Sequence, residues 1–181
     1  MMTFRTAQKF VACLALVLGL VLFSSPAAAH AQAHGWRAAT ASELESALPA
    51  RAPVEKERIE TEMRTATGII NDRGQLIGAV VLITAGYSAD GKYSHYLLLQ
   101  APMTVGDHLV LKSGSYAVGW KRTDDGLLVH FFDAVSGAER GVAIAKPMTG
   151  THRVESFRIW PPTERPVIQI GRYTLPYSVG P

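Results

Sequence analysis

Cysteine is almost missing from this chain, which holds one, Cys13, in 181 residues. A single thiol excludes an internal disulfide and any cysteine-based zinc cluster. Charge is sparse as well, at 18% of residues against 48% hydrophobic, too little charge and too much apolar content for a disordered chain. The length fits one domain. The sequence has no G-x-S-x-G nucleophile turn, no phosphate-cradling G-x-x-x-x-G-K, no H-E-x-x-H and no G-x-G-x-x-G after a strand. It also lacks internal repeats and low-complexity segments.

The long apolar run that is present lies at the N-terminus. Arg5 and Lys9 precede Phe10 to Phe23, Ser24-Ser25-Pro26 ends that run, and Ala27-Ala28-Ala29-His30-Ala31 puts small residues where signal peptidase reads. Residues 1–31 therefore read as a secretory signal, removed on export to the periplasm or the medium. The run is shorter than the roughly 20 apolar residues of a spanning helix, so no membrane span is expected after its removal. Cleavage fits after Ala29 or Ala31, and Ala29-His30-Ala31 favours the second. Cys13 leaves with the signal. The mature chain then has no thiol, which excludes cysteine nucleophiles, thiol redox chemistry and haem attachment through C-x-x-C-H.

Losing Arg5 and Lys9 lowers the basic count from 18 to 16 against 15 acidic residues, so the net charge falls from +3 to +1. Nothing electrostatic then favours nucleic acid or an anionic membrane as partner.

Residues 32–53 read as a helical lead-in and linker. Thr40 and Glu43 have capping-box spacing, Leu44 and Leu48 form an i, i+4 apolar pair, and Pro49 ends a helix of about two turns from Ala41. Pro49 and Pro53 bracket an extended stretch. Residues 54–181 read as one β domain. Arg58 to Thr65 alternates charged and less polar residues, as a strand with one wet face does, although Ile59 and Met63 also fit a helix. Strands are expected over 75–84, 93–100, 109–111, 115–122, 127–133, 140–145, 154–160 and 167–173, with turns at Asn71 to Gly74, Thr123 to Gly126 and Ser136-Gly137. Eight or nine short strands make an all-β, mainly antiparallel fold, either a β-sandwich or a small barrel with a short N-terminal helix.

Few residues are placed for chemistry. His95, His108, His130 and His152 fall on separate segments with no H-x-H pair, and His130, alternating with Leu128 and Phe132, reads as partly buried and hydrogen-bonded. Glu60 and Glu62 share a face with Arg58 and Arg64, which suits ion pairing. Cleavage after Ala31 would leave Gln32-Ala33-His34, whose amine, amides and His34 imidazole form a square-planar nitrogen set for Cu(II). Otherwise no cofactor is expected. Tyr116, Val118 and Trp120 share a strand face opposite Ala117 and Gly119, either as core or as a binding face. Trp160 shares its face with Arg158, just before the loop Pro161 to Pro166. With Arg172 these form a candidate surface for stacking sugar rings or gripping a partner.

Leu111-Lys112-Ser113-Gly114-Ser115-Tyr116 followed by Trp120, then Asp125-Gly126 and the strand Val129 to Asp133, and later Glu155-Ser156-Phe157-Arg158-Ile159-Trp160-Pro161-Pro162 and Ile170-Gly171-Arg172, resembles segments of small exported bacterial β-proteins of unassigned function. The resemblance covers roughly 109–173 and implies a β fold and export. The expected function is therefore an exported, non-catalytic β domain that binds an envelope protein, a glycan or a small ligand. A hydrolase with a dispersed site is the alternative. A second is a carrier enclosing an apolar ligand between Val80 to Ile83 and Leu97 to Leu99.

Overall fold

Alternation written into the sequence becomes an antiparallel sheet with two buried faces. The computed structural model describes residues 35–84 and 92–180. Among them are one helix, α1 (Ala41–Ala47), and thirteen strands. These are β1 (Arg37–Ala38), β2 (Arg51–Val54), β3 (Glu57–Ile70), β4 (Leu76–Ile83), β5 (His95–Leu99), β6 (Met103–Val105), β7 (Leu109–Leu111), β8 (Gly114–Thr123), β9 (Gly126–Asp133), β10 (Glu139–Pro147), β11 (Glu155–Ile159), β12 (Val167–Gly171) and β13 (Tyr173–Val179). Ten of them run in the order β1-β3-β4-β5-β8-β9-β10-β13-β12-β11, while β2 pairs with β3, and β6 pairs with β13 and β7. The fold is all-β and antiparallel, and its sheet curls into a half-barrel.

Inside the curl lie Ile69, Val80, Leu97, Leu99, Tyr116, Val118, Val129, Phe131, Phe157 and Ile168, among other buried side chains contributed by β3 to β13. Tyr116 and Val118 are thus core, and Trp120 packs against the same cluster while keeping partial exposure. On the opposite face, Leu44 and Leu48 of the helical segment and Ala52 and Val54 of β2 cover Ala79, Val81, Tyr96, Ala117 and Phe132. Gly119, on the small-residue face with Ala117, allows the chain at Lys92 to approach closely. A Cβ on Gly119 would lie 2.0 Å from the carbonyl oxygen of Lys92. Similarly, a Cβ on Gly68 would lie 2.9 Å from Leu44 Cδ2, so the small residue lets α1 settle on β3.

The last strand of the path returns to the first half of the sheet. Thr67 Oγ1 donates to the Phe157 carbonyl at 3.2 Å, and His95 Nε2 lies 3.3 Å from Ser156 Oγ. His95 is buried between Trp120 and Phe157, each ring centroid 5.2 Å away, and burial pushes its imidazole down to about 4.

Each of the nine expected stretches contains a strand, but the described residues form thirteen strands, not the expected eight or nine, in a curled half-barrel sheet, and Arg58 to Thr65 is strand, not helix. The helix starts as read. Glu43 N donates to Thr40 Oγ1 at 3.4 Å and Thr40 N to Glu43 Oε2 at 2.8 Å. Arg37 clamps the same carboxylate, which together with Thr40 holds it down at about 2. Three differences have physical causes. The extended stretch carrying Pro53 is β2, and it tolerates proline because it pairs only with β3, at the edge. The stretch 167–173 breaks at Gly171, which takes φ +60 and turns the chain at Arg172 into β13. The short strands β1 and β6, of two and three residues, carry too few positions to show alternation.

Candidate functional site

Trp160 stands at the end of β11, where Trp160 N donates to the Val167 carbonyl across the proline loop at 3.1 Å. Arg158, two residues earlier on the same face, places its guanidinium carbon 4.2 Å from the indole centroid. Arg165, from the loop, places its own at 4.0 Å. Two cations thus engage one half-buried ring, an arrangement worth about 0.5–1 kcal/mol per pair at exposed sites.

One buried side chain organises this cluster. Gln169 is fully buried in β12 between Ile168 and Ile170. Its Oε1 accepts from Trp160 Nε1 and from Arg165 Nη2, both at 3.0 Å. Its Nε2 donates to the carbonyls of Arg153 at 2.7 Å and Gly171 at 3.0 Å. The amide therefore uses two acceptor and two donor positions, its full complement. Half of that capacity is spent on holding two surface side chains in place. Tyr177 completes the frame by donating its hydroxyl to the Trp160 carbonyl, and burial pushes its phenol up.

Of the three expected surface residues, the structure joins Trp160 with Arg158 and sets Arg172 to one side. Arg172 is exposed in the turn between β12 and β13, and its carbonyl accepts from Met148 N at 2.8 Å. It lines an open pocket of about 200 Å³ with Met148, Gly150, Thr151, His152 and Arg153. Arg153 links the two places. Its carbonyl is held by Gln169, and its Nε lies 3.5 Å from Glu155, which is also 3.5 Å from Arg158 Nη1. Sequence reasoning missed Arg165, Arg153 and Gln169. The available signal was Gln169 itself, a polar residue interrupting an apolar strand.

A second concavity of about 460 Å³ lies on the outer face of β8 to β10, lined by Lys92, Lys121, His130, Phe132, Glu139 and their neighbours. His130 behaves as read: its ring stacks on Phe132 at 5.9 Å, and Nδ1 lies 2.8 Å from Glu139 Oε1. Its Nε2 is covered and has no hydrogen-bond partner among the described residues. His152 Nε2 meets the Thr149 carbonyl at 2.7 Å. Glu60 pairs with Arg51 at 3.0 Å and Glu62 with Arg64 at 3.3 Å, the expected use of those charges. Val80, Leu97 and Leu99, the candidate walls of a ligand cavity, are packed together within the core.

The expected signal segment 1–31, the loop at 85–91 and the copper candidate His34 lie outside the described residues. Among the described residues no group of three or more His, Cys, Asp or Glu side chains could hold a metal, and no helix is long and apolar enough to cross a membrane. No family model, no curated protein and no solved structure matches the chain.

Proposed function

We propose that the protein is an exported, non-catalytic binding domain of the cell envelope, with its contact surface centred on Trp160, Arg158 and Arg165. The observation that carries this reading is Gln169, a buried amide committed to fixing the indole edge and one guanidinium of an otherwise surface cluster. A fold gains little from ordering surface side chains, since each long side chain costs up to about 2 kcal/mol of rotamer entropy. A binding site gains from it, because the order is then in place before the ligand arrives. The N-terminal segment of Arg5 to Ala31 supports export, and the resemblance of 109–173 to small exported β-proteins agrees with it.

The test is co-sedimentation of the mature chain, residues 32–181, with isolated envelope fractions. Wild type is expected to pellet, and Trp160→Ala to remain in the supernatant while keeping its melting temperature within a few degrees. Equal pelleting of both proteins contradicts the reading.

The hydrolase reading is favoured by one feature, the His130–Glu139 pair in the outer concavity. Hydrolysis of an ester or glycoside panel, lost on His130→Ala while envelope binding persists, would replace the binding reading with that one.

A further inference from the structure

Resting on that reading of the Trp160 surface, we infer that its ligand is an acidic polysaccharide, with carboxylates taken by Arg158 and Arg165 and, further along, by Arg153 and Arg172. A guanidinium stacked against an indole uses its π face and leaves its in-plane N–H fork free for a planar carboxylate. Arg165 spends one of its donors on Gln169 and keeps the rest. Arg158 and Arg153 share a single anionic neighbour, Glu155, at 3.5 Å from each, too long for a strong charge-assisted bond. Arg172 makes no ion pair among the described residues. Four arginines therefore run from the proline loop to the β12–β13 turn, and among the described residues Glu155 is the one carboxylate within ion-pair distance of any of them, Glu164 being exposed beside Arg165 without an ion pair.

The chemistry between the arginines suits a sugar chain. Thr151 and His152 line the pocket beside Arg153 and Arg172, offering polar partners for hydroxyl groups, and Met148 is its one large apolar side chain. An acidic peptide would instead need apolar pockets for its intervening residues. Arg153, exposed in the pocket lining, shares Glu155 with Arg158 of the Trp160 cluster, so an extended ligand held at the pocket would lie beside that cluster. Glu155 occupies the place a ligand carboxylate would take between Arg153 and Arg158.

Binding of the mature chain to polygalacturonate, measured by titration calorimetry beside dextran, poly-glutamate and polyphosphate, tests this. Polygalacturonate is expected to bind and neutral dextran not to. The double variant Arg153→Ala/Arg172→Ala, which removes two exposed side chains, is expected to bind about tenfold more weakly, and Glu155→Gln more tightly. Poly-glutamate or polyphosphate binding as well as polygalacturonate overturns the assignment, as does an unchanged affinity in the double variant. If Trp160→Ala abolishes envelope sedimentation while polygalacturonate fails to bind wild type, the inference falls and the binding reading stands. If Trp160→Ala leaves sedimentation intact, the binding reading itself falls.

Discussion

Gln169 and His95 are two buried polar side chains that do different work. Replacing Gln169 by Leu removes four hydrogen bonds, frees Trp160 and Arg165, and takes one donor from each of the carbonyls of Arg153 and Gly171. The expected loss is about 2–3 kcal/mol of stability in urea denaturation, with envelope binding falling to the level of Trp160→Ala. His95 sets a pH dependence. Its imidazole is held below its unfolded value of roughly 6.5, so the neutral form is the one the fold accepts. Its contribution is complete above that value and is lost as pH falls toward about 4. Urea midpoints measured across that interval should decline for wild type and stay flatter for His95→Asn. At this scale the sequence was partly legible. Trp160 and Arg158 are two apart on one strand, and period-two alternation puts them together. Arg165 and Gln169 reach the same place only through the loop and the β11–β12 pairing, which no local pattern encodes.

Elements were more legible than contacts, because each is announced by its own residues. The capping box at Thr40 and Glu43 forms as spaced, and Thr40→Ala should cost about 1 kcal/mol in denaturation while leaving the Trp160 surface intact. Asn71 to Gly74 turns as its composition demands, with Asn71 Oδ1 accepting from Arg73 N at 3.0 Å and Gln75 N at 2.8 Å. Where reading by element failed, the cause was a proline, a glycine or, for β1 and β6, a strand too short to show alternation. Pro53 made an edge strand look like a linker, and Gly171 folded one expected strand into two. The alternation of Tyr116, Val118 and Trp120 against Ala117 and Gly119 was visible, and its reason lies in the neighbours. Gly119→Ala should be destabilising by about 1–3 kcal/mol, since its methyl would collide with the Lys92 backbone.

For the molecule as a whole, period-two alternation and turn spacing indicated a β protein, and the curl of the sheet emerged only from its topology. The strand order sends β10 to β13 and ends the path on β11, which lies back against β3 through Thr67 and against β5 through His95. That return presents Arg158 and Trp160 at the end of the curl, beside the proline loop and the Arg172 turn. The proposed export is tested at this scale too. If residues 1–31 act as the expected export signal, N-terminal sequencing of the secreted chain should begin at Gln32, whereas a start at Met1 would contradict that reading. The central claim is that the Trp160 surface does the binding. Its most direct measurement is NMR of the labelled mature chain titrated with solubilised envelope polymer. The account predicts that the Trp160 indole N–H and the Arg158 and Arg165 side-chain signals shift, with the Phe132 and His130 signals unmoved. Shifts confined to the His130 concavity would contradict it.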